Sequence, residues 1–141
     1  MAPNPRLELN VGRLNELLDF AERNATGNRA MRESCAAALR KAVECFVSNL
    51  AVKQNVTLRR RDGAEDRIAR IGELRLLDPL DIGTLQRIRR YGNPNAHNDP
   101  TGNAARGAIA TNVHALRDLQ ARYLLVAPQL RLVTTDTPQA G

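Results

Sequence analysis

Aromatic residues are scarce in this chain: no tryptophan, two phenylalanines and two tyrosines among 141 residues. A core cannot be assembled around large rings, so it must come from Leu, Ile, Val and Ala, which suits packed helices. Cysteine is nearly as rare. Cys35 and Cys45 are the only two, with no CxxC and no Cys/His cluster of zinc-site spacing. If both lie on one helix, ten residues at ~1.5 Å rise separate them by roughly 15 Å, beyond the ~7 Å reach of a disulfide. Reduced thiols are expected, as in a cytoplasmic protein. No run of about 18 apolar residues offers a membrane span. The N-terminal MAPNPRLELN has no apolar signal core. Lysine is almost missing: Lys41 and Lys53 leave arginine with 19 of the 21 basic residues.

What is present is ordinary for a globular domain, with 43% hydrophobic and 26% charged residues. A chain of this length can bury about two thirds of its unfolded surface without a covalent staple. The formal net charge of +6 favours an anionic partner, and arginine adds planar forks that bind phosphate bidentately. A solvated basic surface accounts for the charge equally well. We expect a single helical domain over residues 1–128 and a tail over 129–141.

Periodicity predicts the helices. Leu7, Val11, Leu14, Leu18 and Ala21 mark one buried face of a helix from about Arg6 to Asn24. Thr26-Gly27-Asn28 breaks it. A second helix from about Arg29 to Gln54 carries a stripe of Met31, Cys35, Ala38, Ala42, Phe46 and Leu50. Its Ala36-Ala37-Ala38 centre has high helix propensity and permits close approach of a neighbour. Asn55 to Gly63 reads as a connector with Arg59-Arg60-Arg61. A short helix from about Ala64 to Leu74 directs Ile68 and Ile71 inward. Asp78-Pro79 reads as a helix start, Asp as N-cap and Pro at the first helical position. That helix uses Leu85 and Ile88 in the core and ends near Gly92. The last helix runs from about Asn103 to Leu125, with Ile109, Val113, Leu116, Leu119, Tyr123 and Val126 inward. The expected architecture is an all-α antiparallel bundle of four to five helices.

The segment LQRIRRYGNPNAH, Leu85 to His97, concentrates the side chains that can carry chemistry. His97 can gain and lose a proton near neutral pH. Arginine can hold a phosphate and stabilise charge building on it. Asn93 can orient a hydroxyl, a phosphate or the imidazole. With Leu85 set at zero and about 100° per residue, Ile88 falls near 300°, Arg89 near 40° and Arg90 near 140°. Arg89 borders the buried face and Arg90 points away. The plainer alternatives are a turn histidine at His97, C-cap and turn roles for Gly92 and Asn93, and a surface pair of Arg40 with Glu44. His114 is expected at the surface or core edge. No P-loop, GxSxG elbow, HExxH or dinucleotide fingerprint competes.

IRRYGNPNAH resembles the I-R-x-x-G-N-x-x-A-H motif of one branch of the HEPN domains (higher eukaryotes and prokaryotes nucleotide-binding). MRESCAAALRKAVECFVSNL resembles that branch's long Ala/Leu helix with an Arg-x-x-x-Glu pair. LRLLDPLDIGTLQRIRR resembles the short helix leading into the motif. The resemblance covers roughly residues 31–125. It implies a HEPN-like bundle and a metal-independent endoribonuclease without a cofactor. It also implies a homodimer acting on RNA in a toxin or defence setting, with an antitoxin or other defence protein as a further partner. In that reading the RNA's 2′-hydroxyl attacks the adjacent phosphate. His97 is the general acid or base, Arg89 holds the phosphate and Asn93 orients the site. Arg90, Tyr91, Asn95 and Glu44 support binding, Glu44 also as a partner for Arg40 or the motif's arginine. The alternative is a catalytically silent HEPN-like module that dimerises, docks a partner or binds nucleotide; Pro94 inside the motif is the feature that favours it.

Overall fold

Five α-helices account for nearly all of the regular structure among the described residues, and the apolar spacing in each determines the face it buries. The computed structural model describes residues 11–59, 61–91 and 106–125. They form α1 (Val11–Asn24), α2 (Arg29–Lys53), α3 (Ala64–Glu73), α4 (Pro79–Tyr91) and α5 (Arg106–Leu119). A π-helical segment, Gln120–Leu125, continues α5. No strand occurs among the described residues. The all-α bundle read from the sequence is the architecture found. The expected start of the first helix at Arg6, the stop at Gly92, Val126 and the tail lie outside the described residues.

The long helix α2 is the hub. It packs against α1, α3, α4, α5 and the π segment. Its Ala-rich centre allows this, because Ala36, Ala38 and Ala42 bring backbones close while Leu39, Val43, Phe46 and Leu50 fill the core. α1 folds back on α2 across a short turn and adds Leu14, Leu17, Leu18 and Ala21. Ile68 and Ile71 of α3, Leu85 and Ile88 of α4, and Ile109, Leu116 and Leu119 of α5 are all buried, as their spacing predicts. Three expected inward positions are less covered: Met31, in the first turn of α2, is 37% exposed, and Val11 and Tyr123 are half-buried.

The helix ends follow local chemistry. The Asn28 side chain accepts from the Met31 N–H at 2.9 Å and caps α2. α2 closes with two crossed bonds, Asn55 N–H to Val52 O at 3.1 Å and Val56 N–H to Ala51 O at 2.8 Å. α3 closes the same way, Arg75 N–H to Gly72 O at 3.0 Å and Leu76 N–H to Ile71 O at 3.2 Å. This is the Schellman pattern, and it places Asn55 (φ 57°) and Arg75 (φ 58°) in left-handed geometry. α4 begins at Pro79, with the Asp78 carbonyl accepting from Ile82 N–H at 3.0 Å.

The expected last helix needs correction: it is α-helical to Leu119 and then widens. Side chains and backbone of the wide turn are fixed by three other elements. Gln120 Nε2 donates to Asn15 Oδ1 at 2.9 Å. Lys53 Nζ donates to the Tyr123 carbonyl at 2.6 Å. Arg122 and Tyr123 both reach Asp81 at the start of α4. No helix among the described residues is long and apolar enough to cross a membrane. Both cysteines are free thiols, Cys35 buried and Cys45 half-buried.

Candidate functional site

The candidate site begins at the last turn of α4. Leu85 and Ile88 anchor that helix in the core, which sets the direction of its neighbours Arg89 and Arg90. Arg89 lies at the edge of the packed face with only 13% of its side chain exposed. Its Nε donates to Gln86 Oε1 at 3.2 Å, and a terminal nitrogen lies 3.6 Å from Glu65 Oε1 of α3. Arg90 is exposed. The wheel's assignment of the two arginines, one at the border and one outward, is what the structure shows. Tyr91 closes the described part of α4. Asn93, Asn95 and His97 lie outside the described residues.

Glu44 projects from α2 with its side chain half-exposed, and Arg40 Nε stands 3.9 Å from it. The pairing of Glu44 with Arg40 is therefore the one formed; Arg89 takes Glu65 instead. Beside Glu44 is a recess of about 240 Å³ between α2 and the first turn of α3. Val43, Val47 and Ile68 form its apolar floor, and Glu44, Asp62 and Arg67 its polar rim. Arg67 stiffens that rim, donating through Nε to Asp62 O and through a terminal nitrogen to Arg59 O, each at 3.0 Å.

No family model, curated protein or solved structure matches this chain. The α4 end supplies a positioned guanidinium and a second, exposed one, and the recess between α2 and α3 adds Glu44 and Asp62 to its lining. Among the described residues no group of three or more His, Cys, Asp or Glu could hold a metal ion. His114 is exposed on α5, at the surface as expected.

Two features escaped the sequence. Glu65 gives no sign of its partner, since a carboxylate in a first helical turn is already explained by the helix dipole. The other is the cluster around Asp81. Arg122 donates to both Asp81 oxygens, at 3.1 and 2.9 Å, and Tyr123 OH donates at 2.6 Å. The Arg122 guanidinium carbon also lies 5.2 Å from the Tyr123 ring centre. Hydrogen bonding to Arg122 holds the Asp81 carboxyl below its usual range against the opposing effect of burial. Burial, then the neighbouring Asp81 carboxylate, pushes the Tyr123 phenol up. Adjacent residues do not share a face of an ordinary α-helix, and here both lie in the π-helical segment. Three hydrogen bonds converge on the Asp81 carboxylate, which makes the cluster a clasp between α4 and the chain after α5.

Proposed function

We propose that this chain is a metal-independent endoribonuclease of HEPN type, acting as a homodimer in a toxin or defence setting. The RNA's own 2′-hydroxyl attacks the adjacent phosphorus, and the bond to the 5′-oxygen breaks to leave a 2′,3′-cyclic phosphate. His97 transfers the proton, taking it from the 2′-hydroxyl or giving it to the departing oxygen. Arg89 stabilises the charge on the phosphoryl oxygens, and Asn93 orients the site. Arg90, Tyr91 and Asn95 contribute to RNA binding.

The observation that carries this reading is the state of Arg89. A guanidinium held by Gln86 on its own helix and Glu65 on the preceding one is preorganised, so little side-chain freedom remains to be lost when phosphate arrives. The strong net positive charge supports an anionic substrate. The same observation also favours a second reading. With so little of its side chain exposed and a carboxylate beside it, Arg89 would serve only to join α3 to α4 in a catalytically silent module.

Cleavage of an RNA pool in EDTA by wild type, His97→Ala and Arg89→Ala separates the two. Fragments ending in 2′,3′-cyclic phosphate from wild type alone support the nuclease. A folded wild type that cleaves nothing, with a destabilised Arg89→Ala, supports the silent module.

A further inference from the structure

We propose that the recess between α2 and the first turn of α3 is a base-binding pocket selective for guanine, which sets the position of cleavage in the RNA. The inference rests on the ribonuclease reading for its role in cleavage, while its geometry stands apart from it.

Size comes first. A space of about 240 Å³ is several times that of one water, ~30 Å³, and smaller than the roughly 300–1,000 Å³ of pockets for drug-sized ligands. It suits one planar heterocycle without its sugar and phosphate. The floor of Val43, Val47 and Ile68 provides apolar contact for a ring face.

The rim selects the edge. Glu44 and Asp62 are acceptors when ionised, while Arg67 on the same rim directs its guanidinium to the Asp62 and Arg59 carbonyls, so the rim offers an incoming base acceptors. Arg40 stands too far from Glu44, at 3.9 Å, for a hydrogen bond to occupy the carboxylate. Guanine presents two neighbouring donor groups, N1–H and the 2-amino group, on its Watson–Crick edge. Adenine and cytosine offer one amino group there and uracil one N–H. Two rim carboxylates therefore match guanine best. Its O6 needs a donor, and the first turn of α3 has one to give. Gly63 at the N-cap supplies no side-chain bond, so the first N–H groups of α3 are not taken by a cap. The rim is built in advance, since Arg67 fixes the carbonyls of Asp62 and Arg59. The same turn of α3 carries Glu65, which touches Arg89. Base pocket and phosphate-binding arginine thus flank one structural unit.

Titration of the full chain with guanosine, adenosine, cytidine and uridine 5′-monophosphates tests the pocket without any cleavage. Wild type should bind the guanosine nucleotide at least about tenfold more tightly than the other three. Glu44→Gln and Asp62→Asn should each erase most of that preference; Glu44 is exposed and Asp62 half-buried, and circular dichroism checks that the variants fold. Equal binding of all four nucleotides, no binding, or a guanine preference surviving in both variants would overturn the proposal. The two readings fail separately. Loss of guanine preference alongside His97-dependent cleavage removes only the pocket. Guanine preference in a protein that cleaves nothing removes only the nuclease.

Discussion

Asp81 is the residue on which most depends for its size. Its carboxylate is nearly buried and holds one guanidinium and one phenol. Asp81→Asn keeps the shape but removes the charge that makes these bonds strong. Arg122 is 44% exposed, so solvent screens part of the interaction. A loss of about 1–2 kcal/mol at pH 7 is expected in urea unfolding. The pH dependence has a definite sign. The folded Asp81 carboxyl titrates below its unfolded value of about 3.9. Its stabilisation is complete above that unfolded value and disappears as pH falls through the folded one. The stability gap between wild type and Asp81→Asn should therefore narrow from pH 7 to pH 3; a constant gap would show that charge is not the cause. Glu65 poses a different question. It is well exposed, so Glu65→Gln should change stability by less than about 1 kcal/mol. Because Glu65 is one of the two groups that fix Arg89, the same substitution should weaken RNA binding several-fold, measured on a His97→Ala background to prevent cleavage. Tighter binding would mean that Glu65 competes with phosphate for Arg89 rather than positioning it.

Helices and their stops were legible at the scale of the element because they depend on neighbours in sequence. Asn28 caps α2 through a residue three positions on, and Ile68 and Ile71 bury a single face. Asp81 with Arg122 and Glu65 with Arg89 were not legible, since each joins residues that only packing brings together. The arginine pair at the end of α4 was resolved by the wheel, whereas Asn93, Asn95 and His97 lie outside the described residues. Nor does local propensity announce Arg75, which adopts φ 58° where glycine is usual. A left-handed L-residue costs roughly 1–2 kcal/mol, part of which glycine returns through greater freedom in the unfolded chain. Arg75→Gly should therefore stabilise by about 0.5–1 kcal/mol and raise Tm by a few degrees, roughly 2–4 °C. Arg75→Val, branched at Cβ, should lower Tm instead. If both variants melt at the wild-type temperature, the turn does not hold this geometry in solution.

On the scale of the whole molecule, the described residues form a long helix with the other four helices and the π segment packed on it. With so few aromatics, most α2 core positions hold Ala, Val or Leu, and Phe46 supplies the largest of the fully buried side chains. Ala42 and Ala38 precede it on the same stripe, four and eight residues back, and small residues like these cannot expand to fill a gap. Phe46→Ala should therefore leave a cavity that closes poorly, costing about 3–5 kcal/mol. The total stability of a domain this size is about 5–15 kcal/mol, so such a loss removes a large share of it. Phe46→Leu retains most of the volume and should cost less than about 1.5 kcal/mol. Urea unfolding followed by circular dichroism measures both. One cooperative transition that moves to lower urea in that order, with an unchanged slope, is expected if the helices share one core. A second transition in Phe46→Ala, with α3 and α4 melting before the α1–α2 pair, would show that α2 carries two cores rather than one.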